Sequence, residues 1–257
     1  MRYNEMHTDT LILFKCTEST RMDAIRQIEY ISLRAWQALE TELYDGWVLR
    51  ASEGYTRRAN SVQPLAEHKL PLSEKIAYCE TWYAERDLPC IFRMTPAHQP
   101  NVLDNRLTEL GYTRSHNTLV QTALLADAIV ATDADFHHTA TLQADWLSAW
   151  ASWNDISSQN ASIAERMLTQ PNRVDMCFGW IGASAVGLAI REDQHIGLFD
   201  IVVHPDQRGE GLGERLVRQL LTWGKNKGAH VAYLQVLARN TPALNLYNKL
   251  GFNTHHV

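Results

Sequence analysis

The chain has 257 residues, 45% of them hydrophobic, enough for one large core or two ordinary ones. A net charge of −5 argues against nucleic acid or an anionic membrane surface as the main partner, and no apolar run approaches the length of a membrane span. Cys16, Cys79, Cys90 and Cys177 have neither CxxC spacing nor a secretory signal before them, so the reading is of reduced thiols in a soluble, cytoplasmic protein with no metal site.

Residues 1–21 show no period and read as an N-terminal extension, either outside the core or added as an edge strand. Helical spacing begins at Met22 with Ile25, Ile28 and Ile31 and predicts a helix over 22–43, with Trp36 and Leu39 on its apolar side. Strands follow at 46–50 and 58–62, joined across Glu53, Gly54 and Tyr55. Ile76, Cys79, Trp82 and Tyr83 mark a helix over 72–86, followed by a strand at 90–94, a helix over 101–110 ended by Gly111, and a strand at 118–125. The small, acidic stretch 126–135 reads as a linker. Beyond it come a strand at 137–141, helices over 144–153 and 157–168, and strands at 174–180 and 185–191.

The stretch 199–216 organises the rest. Residues 196–203 are apolar apart from Gly197 and Asp200, Pro205 cannot continue a strand, and Leu212, Leu216, Val217, Leu220 and Leu221 recur at helical spacing as far as Lys227, where Gly228 suits a C-cap. Gly209, Gly211 and Gly213 lie between strand and helix. A backbone free of Cβ atoms at a helix N-terminus points unbonded N–H groups into one concavity and suits a phosphate. The Walker pattern fails because Glu214 follows Gly213, and the dinucleotide pattern fails because its third glycine position falls on Glu214 or Leu216. A strand at 231–236 precedes a last helix, for which Thr241 is the expected cap, Pro242 a first-turn residue and Gly251 the stop.

Arg208-x-x-Gly211-x-Gly213, followed by Asn240 and by Tyr247-x-x-Leu250-Gly251-Phe252, resembles the signature of the GNAT superfamily of acyl-CoA N-acyltransferases. The resemblance is specific over 199–252, extends over 133–257 and is only topological over 22–125. It implies acetyl-CoA as the acyl donor and an amine as the acceptor. The backbone of Ile201, Val202 and Val203 would hold the pantetheine and polarise the thioester carbonyl. The turn of Arg208, Gly209, Glu210, Gly211, Leu212 and Gly213 would take the pyrophosphate. Asn240 would pair with the pantetheine amides, and Tyr247 would protonate the departing sulfur.

Each residue also has a plainer reading. Asn240 either pairs with pantetheine or only starts its helix, Tyr247 is either the acid or a packed ring, and Arg208 either meets phosphate or caps the loop. Period 2 puts Leu198, Asp200, Val202 and His204 on one face, where Asp200 either accepts the amine's proton or makes a structural hydrogen bond. His204, at the mouth of the glycine loop, is either a surface histidine or a base, and His137, His138 and His195 read as solvated strand ends. Trp146, Trp150 and Trp153 form a stripe that is either core or a wall for the acceptor. Tyr55, Arg57, Arg58, Asn60 and Ser61 either contact an acidic acceptor group or dock two halves together.

An offset of 140 residues lays Leu72, Glu74 and Ile76 on Leu212, Glu214 and Leu216, and Asn105, Leu110 and Gly111 on Asn245, Leu250 and Gly251. The expected fold class is therefore α/β (α+β), with two GNAT-like domains at 22–125 and 136–257, each a mixed, mostly antiparallel sheet flanked by helices. The first would be a degenerate copy. Its loop reads His68-Lys69-Leu70-Pro71-Leu72-Ser73 without glycine, Leu107 stands against Tyr247, and Pro100 against Asn240. The expected activity is N-acetyl transfer from acetyl-CoA to a primary amine of a small molecule or peptide, directly in a ternary complex, by a monomer or homodimer. A non-catalytic acetyl-CoA sensor and an acetyltransferase of protein N-termini or lysines are the alternatives. The resemblance also implies a further strand after Phe252, which leaves the last edge of the site open.

Overall fold

The computed structural model describes residues 18–66, 69–125, 132–171 and 175–257. The expectations for residues 1–17, for His68, for 126–131 and for Val174 lie outside the described residues. The first helix, α1 (Glu18–Ala35), stops before Trp36, and Leu43 belongs to a strand. The expected helix over 22–43 is thus too long, because Asp45 and Gly46, at φ 41° and 82°, close a two-residue hairpin between β1 (Glu40–Tyr44) and β2 (Trp47–Ala51). The expected strand at 58–62 is mostly a turn. Residues Arg57–Ala59 form a single 3₁₀ turn, and only Val62 and Gln63 make bridges, to Phe92 and Val48. The strand at 90–94 likewise contributes only Phe92. Around this small sheet, α2 (Leu72–Ala84) and α3 (Leu103–Glu109) close a core of Trp47, Leu49, Val62, Ile76, Cys79, Tyr83, Leu103 and Leu107.

The main sheet has seven strands. In chain order they are β3 (Thr118–Leu124), β4 (Phe136–Thr139), β5 (Met176–Ile181), β6 (Ala185–Glu192), β7 (His195–Val203), β8 (Val231–Leu237) and β9 (Asn253–His256); across the sheet they run β4-β5-β6-β7-β8-β3-β9. All neighbours are antiparallel except β7 and β8. β3, read from the sequence as the last strand of the N-terminal half, lies between β8 and β9 and pairs with β8 from Thr118↔Leu237 to Leu124↔Val231. This sheet is therefore built by both halves of the chain, and the place after Phe252 that the sequence left open is filled by β9 and β3.

Each face of the sheet buries a separate core. One face packs against α1, α4 (Ala144–Trp153) and α5 (Ser158–Leu168) through Trp146, Trp150, Ile163, Phe178, Leu188 and Phe199. The other packs against α6 (Leu212–Asn226) and α7 (Thr241–Lys249) through Leu198, Leu216, Val217, Leu220, Leu234 and Phe252. The apolar stripe of α6 is what the 3.6-residue spacing of its leucines requires. A buried polar network joins the two halves. Glu29 on α1 accepts Arg93 Nη2 at 2.7 Å and Nε at 3.0 Å, and lies 2.7 Å from His256 Nε2 on β9. Arg93 also reaches Gln235 on β8.

Candidate active site

β7 and β8 pair from His195↔Val231 to Leu198↔Leu234 and then part. Beyond that point β7 stays with β6 and β8 with β3, so the β8-facing backbone from Phe199 to Val203 has no strand partner. Such a gap inside a sheet can take an extended ligand as an added strand. Ile201, Val202 and Val203, the residues expected to hold pantetheine, lie on this edge.

β7 also carries a bulge. Val186 pairs with Val202 and Leu188 with Phe199, leaving Asp200 and Ile201 opposite Gly187, with Asp200 at φ 50°. A Cβ on Gly187 would stand 2.7 Å from Ile201 Cδ1 and 3.1 Å from Leu216 Cδ2, so any side chain across from the bulge would have to displace them. The extra residue breaks the alternation on which the sequence reading relied. Leu198, Ile201 and Val203 pack on the α6 and α7 side, and Phe199 and Val202 on the α1, α4 and α5 side. Asp200 therefore does not share a face with Leu198 as expected; it faces Trp150, Tyr55 and Arg58.

Asp200 Oδ2 is buried and, among the described residues, makes no hydrogen bond of normal geometry; the Trp150 N–H faces it closely enough to act on its charge but is not in bonding geometry. Burial pushes the Asp200 carboxyl up to about 6, against the opposing pull of the Arg58 charge and the Trp150 N–H. At neutral pH it is ionised yet close to its titration range, as a proton acceptor requires.

After β7 the chain turns through Pro205–Gln207, where His204 Nδ1 accepts the N–H of Asp206 at 3.3 Å and the His204 ring meets Trp153 edge-on at 5.3 Å. The Arg208 guanidinium folds back onto the carbonyls of Val203 and Trp153, at 3.3 and 3.2 Å, and so ties the loop to α4. Gly209 and Gly211 take φ of 88° and 80°, with nothing within 4 Å of a hypothetical Cβ on either. α6 then starts at Leu212 without a side-chain cap, and its first N–H bonded back is that of Arg215, to Gly211 at 3.1 Å. The N–H groups from Gly209 to Glu214 make no hydrogen bond among the described residues. Glu210 is exposed at the loop's tip and Leu212 is buried beneath it. The one acid in the helix's first turn, Glu214, is paired with Lys249 and Arg218.

The end of β8 lies beside this loop because β7 and β8 are parallel. Asn240 caps α7 by accepting the N–H of Ala243 at 3.3 Å, so the expected cap, Thr241, is instead the first helical residue. The Asn240 side-chain N–H₂ makes no hydrogen bond among the described residues. A cavity of about 300 Å³ opens just before it, lined by Ser115, His116, Asn117, Leu237, Ala238 and Arg239. Tyr247 packs in the α6 and α7 core, 5.7 Å from the Phe252 ring, and its hydroxyl has no hydrogen-bond partner among the described residues. Burial pushes its phenol up to about 12, so it keeps its proton at neutral pH. Asp200 and Tyr247 thus belong to opposite faces of the sheet. Burial pushes the Cys177 thiol up to about 12 as well, which leaves it no thiolate at neutral pH.

The tryptophan stripe divides. Trp146 is core, with its indole N–H on Gly179 O at 3.2 Å, whereas Trp150 packs on Trp146 with one side and meets Asp200 with the other. Sequence reasoning missed Trp36, Phe199 and Tyr233 as part of this environment. No local signal marks them, since they come together only across α1, β7 and β8. Among the described residues no group of three His, Cys, Asp or Glu side chains could hold a metal ion, and no helix is long and apolar enough to cross a membrane.

Residues 22–257 match the family described as "Probable histone acetyltransferase Rv0428c C-terminal". The "Uncharacterized N-acetyltransferase YobR" of Bacillus subtilis is 30% identical over 246 residues, which cover 91% of this chain and 98% of that protein. Among solved structures, a GCN5-related N-acetyltransferase from Kribbella flavida has a similar fold, with a TM-score of 0.65 at 14% identity over 90% of this chain and 92% of that one. A protein described as a tandem GNAT protein from the clavulanic acid biosynthesis pathway aligns with a TM-score of 0.58 at 14% identity, over 89% and 85% of the two chains. The match over 22–257 and the near full-length relative show that the chain belongs to this family, as an N-acetyltransferase of the GNAT superfamily.

Proposed function

We propose that the chain transfers the acetyl group of acetyl-CoA to a primary amine by direct transfer in a ternary complex. The observation that carries this reading is the row of unbonded N–H groups from Gly209 to Glu214, opening at the same end of the sheet as the unpaired edge of β7. The open space over Gly209 and Gly211 fits a pyrophosphate, and the edge from Phe199 to Val203 fits the amide-bearing arm of pantetheine. Asn240 would add its free N–H₂ to that arm, and Arg208, held on two carbonyls, would fix the loop's entry. Acetyl-CoA supplies a thioester whose carbonyl carbon is open to attack by nitrogen.

Asp200 takes the proton that the amine loses as its lone pair forms the new C–N bond. Tyr247 gives a proton to the sulfur as the C–S bond breaks. A backbone N–H of 201–203 supports the carbonyl oxygen while it carries charge. The two protonated states are opposite after transfer, and solvent exchange restores them. The Cys177 thiol, buried and protonated, is unsuited to carry an acyl group, which favours direct transfer.

The same reading extends to the chain's organisation, with a degenerate copy at 22–125, a linker at 126–135 and the active copy at 136–257. Its support is the 140-residue offset, which sets α2 against α6 and α3 against α7, and the description of one fold neighbour as tandem. Under this reading β3 is the strand that the first copy lends to the second.

The test is calorimetric titration with acetyl-CoA of the wild type and of Gly211→Glu, which puts a carboxylate and a strained φ into the loop. One equivalent should bind to the wild type and none to the variant, with thiol release then depending on added amine. Failure of the wild type to bind overturns the proposal, and two equivalents would overturn the degenerate first copy. Binding without amine-dependent thiol release would identify a sensor.

A further inference from the structure

Arg58 is a cation without an ion-pair partner among the described residues. Its guanidinium carbon lies 5.4 Å from the Trp36 ring centroid and 5.6 Å from that of Phe199, and the group makes no hydrogen bond or ion pair among the described residues. Asp200 acts on it only through space. A half-buried charge without a partner is costly unless a ligand completes it.

The residues around Arg58 hold it in place without satisfying it. Arg50, itself buried, donates to the carbonyl of Arg58 at 2.7 Å and to that of Trp36. Asn60 uses its amide on the loop before it, accepting from Ser52 and Gly54 and donating to the carbonyls of Tyr55 and Thr56. Ser61 donates to the Arg57 carbonyl, and Arg57 turns to Ser115 and His116. Of the polar cluster noted in the sequence, Tyr55 and Arg58 alone act on Asp200.

Among the described residues four polar atoms here make no hydrogen bond of normal geometry: Trp36 Nε1, the Tyr233 hydroxyl, and Trp150 Nε1 and Asp200 Oδ2, which face each other. Three of them donate, as does Arg58, and only Asp200 is purely an acceptor. A ligand that satisfies both kinds needs anionic oxygens for the donors and an N–H for the carboxylate. The geometry points to an acceptor that carries a carboxylate beside its amine, a compound of the amino-acid class, with its carboxylate on Arg58 above Trp36 and its amine at Asp200. This rests on the reading of the Asp200 face as the acceptor site. A polycationic amine would instead bring a second positive charge against Arg58. The guanidinium also favours the neutral form of an amine beside it, which is the form that attacks.

The test uses the full chain and Arg58→Gln, with the protein amino acids, their carboxamides and the matching alkylamines as acceptors. Two readouts are followed: thiol release at saturating acetyl-CoA, and tryptophan fluorescence on acceptor binding. The wild type should prefer the acid over its amide by about 100-fold in kcat/KM. Arg58→Gln should lose that preference and keep its affinity for acetyl-CoA, and Arg58→Lys should keep part of the preference. A wild type that prefers amides or alkylamines, or a preference that survives in Arg58→Gln, overturns the inference. If no amine is acetylated, binding decides: an amino-acid-induced fluorescence change present in the wild type and absent from Arg58→Gln upholds the anion site while transfer fails, and no change in either overturns it.

Discussion

At the start of α2 the carboxylate of Asp45 accepts the N–H groups of Lys69 and Leu70 at 3.0 Å, whereas at the start of α6 the N–H groups from Gly209 to Glu214 make no hydrogen bond among the described residues. Lys75, 0% exposed, reinforces the first arrangement with its ammonium 3.3 Å from Asp45 and 4.0 Å from the Trp47 ring centroid. Pro71, the cap of α2, has no N–H to offer. The N-terminal half thus supplies its own anion to the place that the C-terminal half leaves open. The absence of glycine before α2 accounts for only part of that difference; the Asp45 carboxylate, with Lys75 as its buried counter-ion, already occupies N–H groups that a phosphate would need.

The largest effects are expected where the second half has chemistry that the first lacks. The 140-residue offset sets Asn60 against Asp200, and Asp200→Asn should lower kcat/KM by about 1,000-fold. In the wild type kcat/KM should fall tenfold per pH unit below about pH 6, and the variant should lose that limb. Stability should move the other way. Between the unfolded value near 3.8 and about 6 the folded chain holds the extra proton, so stability falls as pH rises through that window. The cost at pH 7 is roughly 3 kcal/mol, and Asp200→Asn should raise Tm there. A variant that is inactive and less stable would mark Asp200 as structural.

Tyr247→Phe, a step toward Leu107 of the first half, should lower kcat by about 100-fold and leave the affinity for acetyl-CoA unchanged, since the hydroxyl has no partner among the described residues. Asp45→Ala acts on the other side of the comparison. It leaves Lys75 buried without its carboxylate and should lower Tm by several degrees, with acetyl-CoA titrating as before. A loss of acetyl-CoA binding in Asp45→Ala would place the cofactor in the wrong half.

The parts of this arrangement legible in the sequence were those governed by neighbours along the chain. The leucine spacing of α6, the glycines before it and the Gly251 stop each depend on a few consecutive residues, and their local structure follows from those residues. Asp200 was visible as an odd charge in an apolar strand. Its direction was not, because one extra residue in β7 is defined only by pairing with Gly187 on β6. The place of β3 was hidden for the same reason: its alternation fits either sheet, and only pairing with β8 and β9 selects one. Arg58 read merely as part of a polar run, since its lack of a partner is a three-dimensional fact.

Glu29 offers the finest version of the comparison, because it and Asp200 are both buried acids shifted in opposite directions. Glu29 is 1% exposed, and burial pulls its carboxyl up, but Arg93 and His256 outweigh that pull and hold it at about 2. Between about 2 and the unfolded value of 4.5 the unfolded chain binds the extra proton, so stability rises with pH through that window. The contribution is complete above 4.5 and lost as pH falls towards 2. It amounts to roughly 3 kcal/mol at neutral pH. Glu29→Gln should therefore lower Tm at pH 7, and its difference from the wild type should shrink as the acid limit is approached. Since Glu29 ties α1 to Arg93 and to β9 but makes no bond to Asp200 or the glycine loop, KM for acetyl-CoA should not change. On the proposed reading, the carboxylate fully paired within the protein supports the fold and the less deeply buried one without an ion-pair partner serves the substrate; a Glu29→Gln variant that lost activity at unchanged stability would remove that distinction.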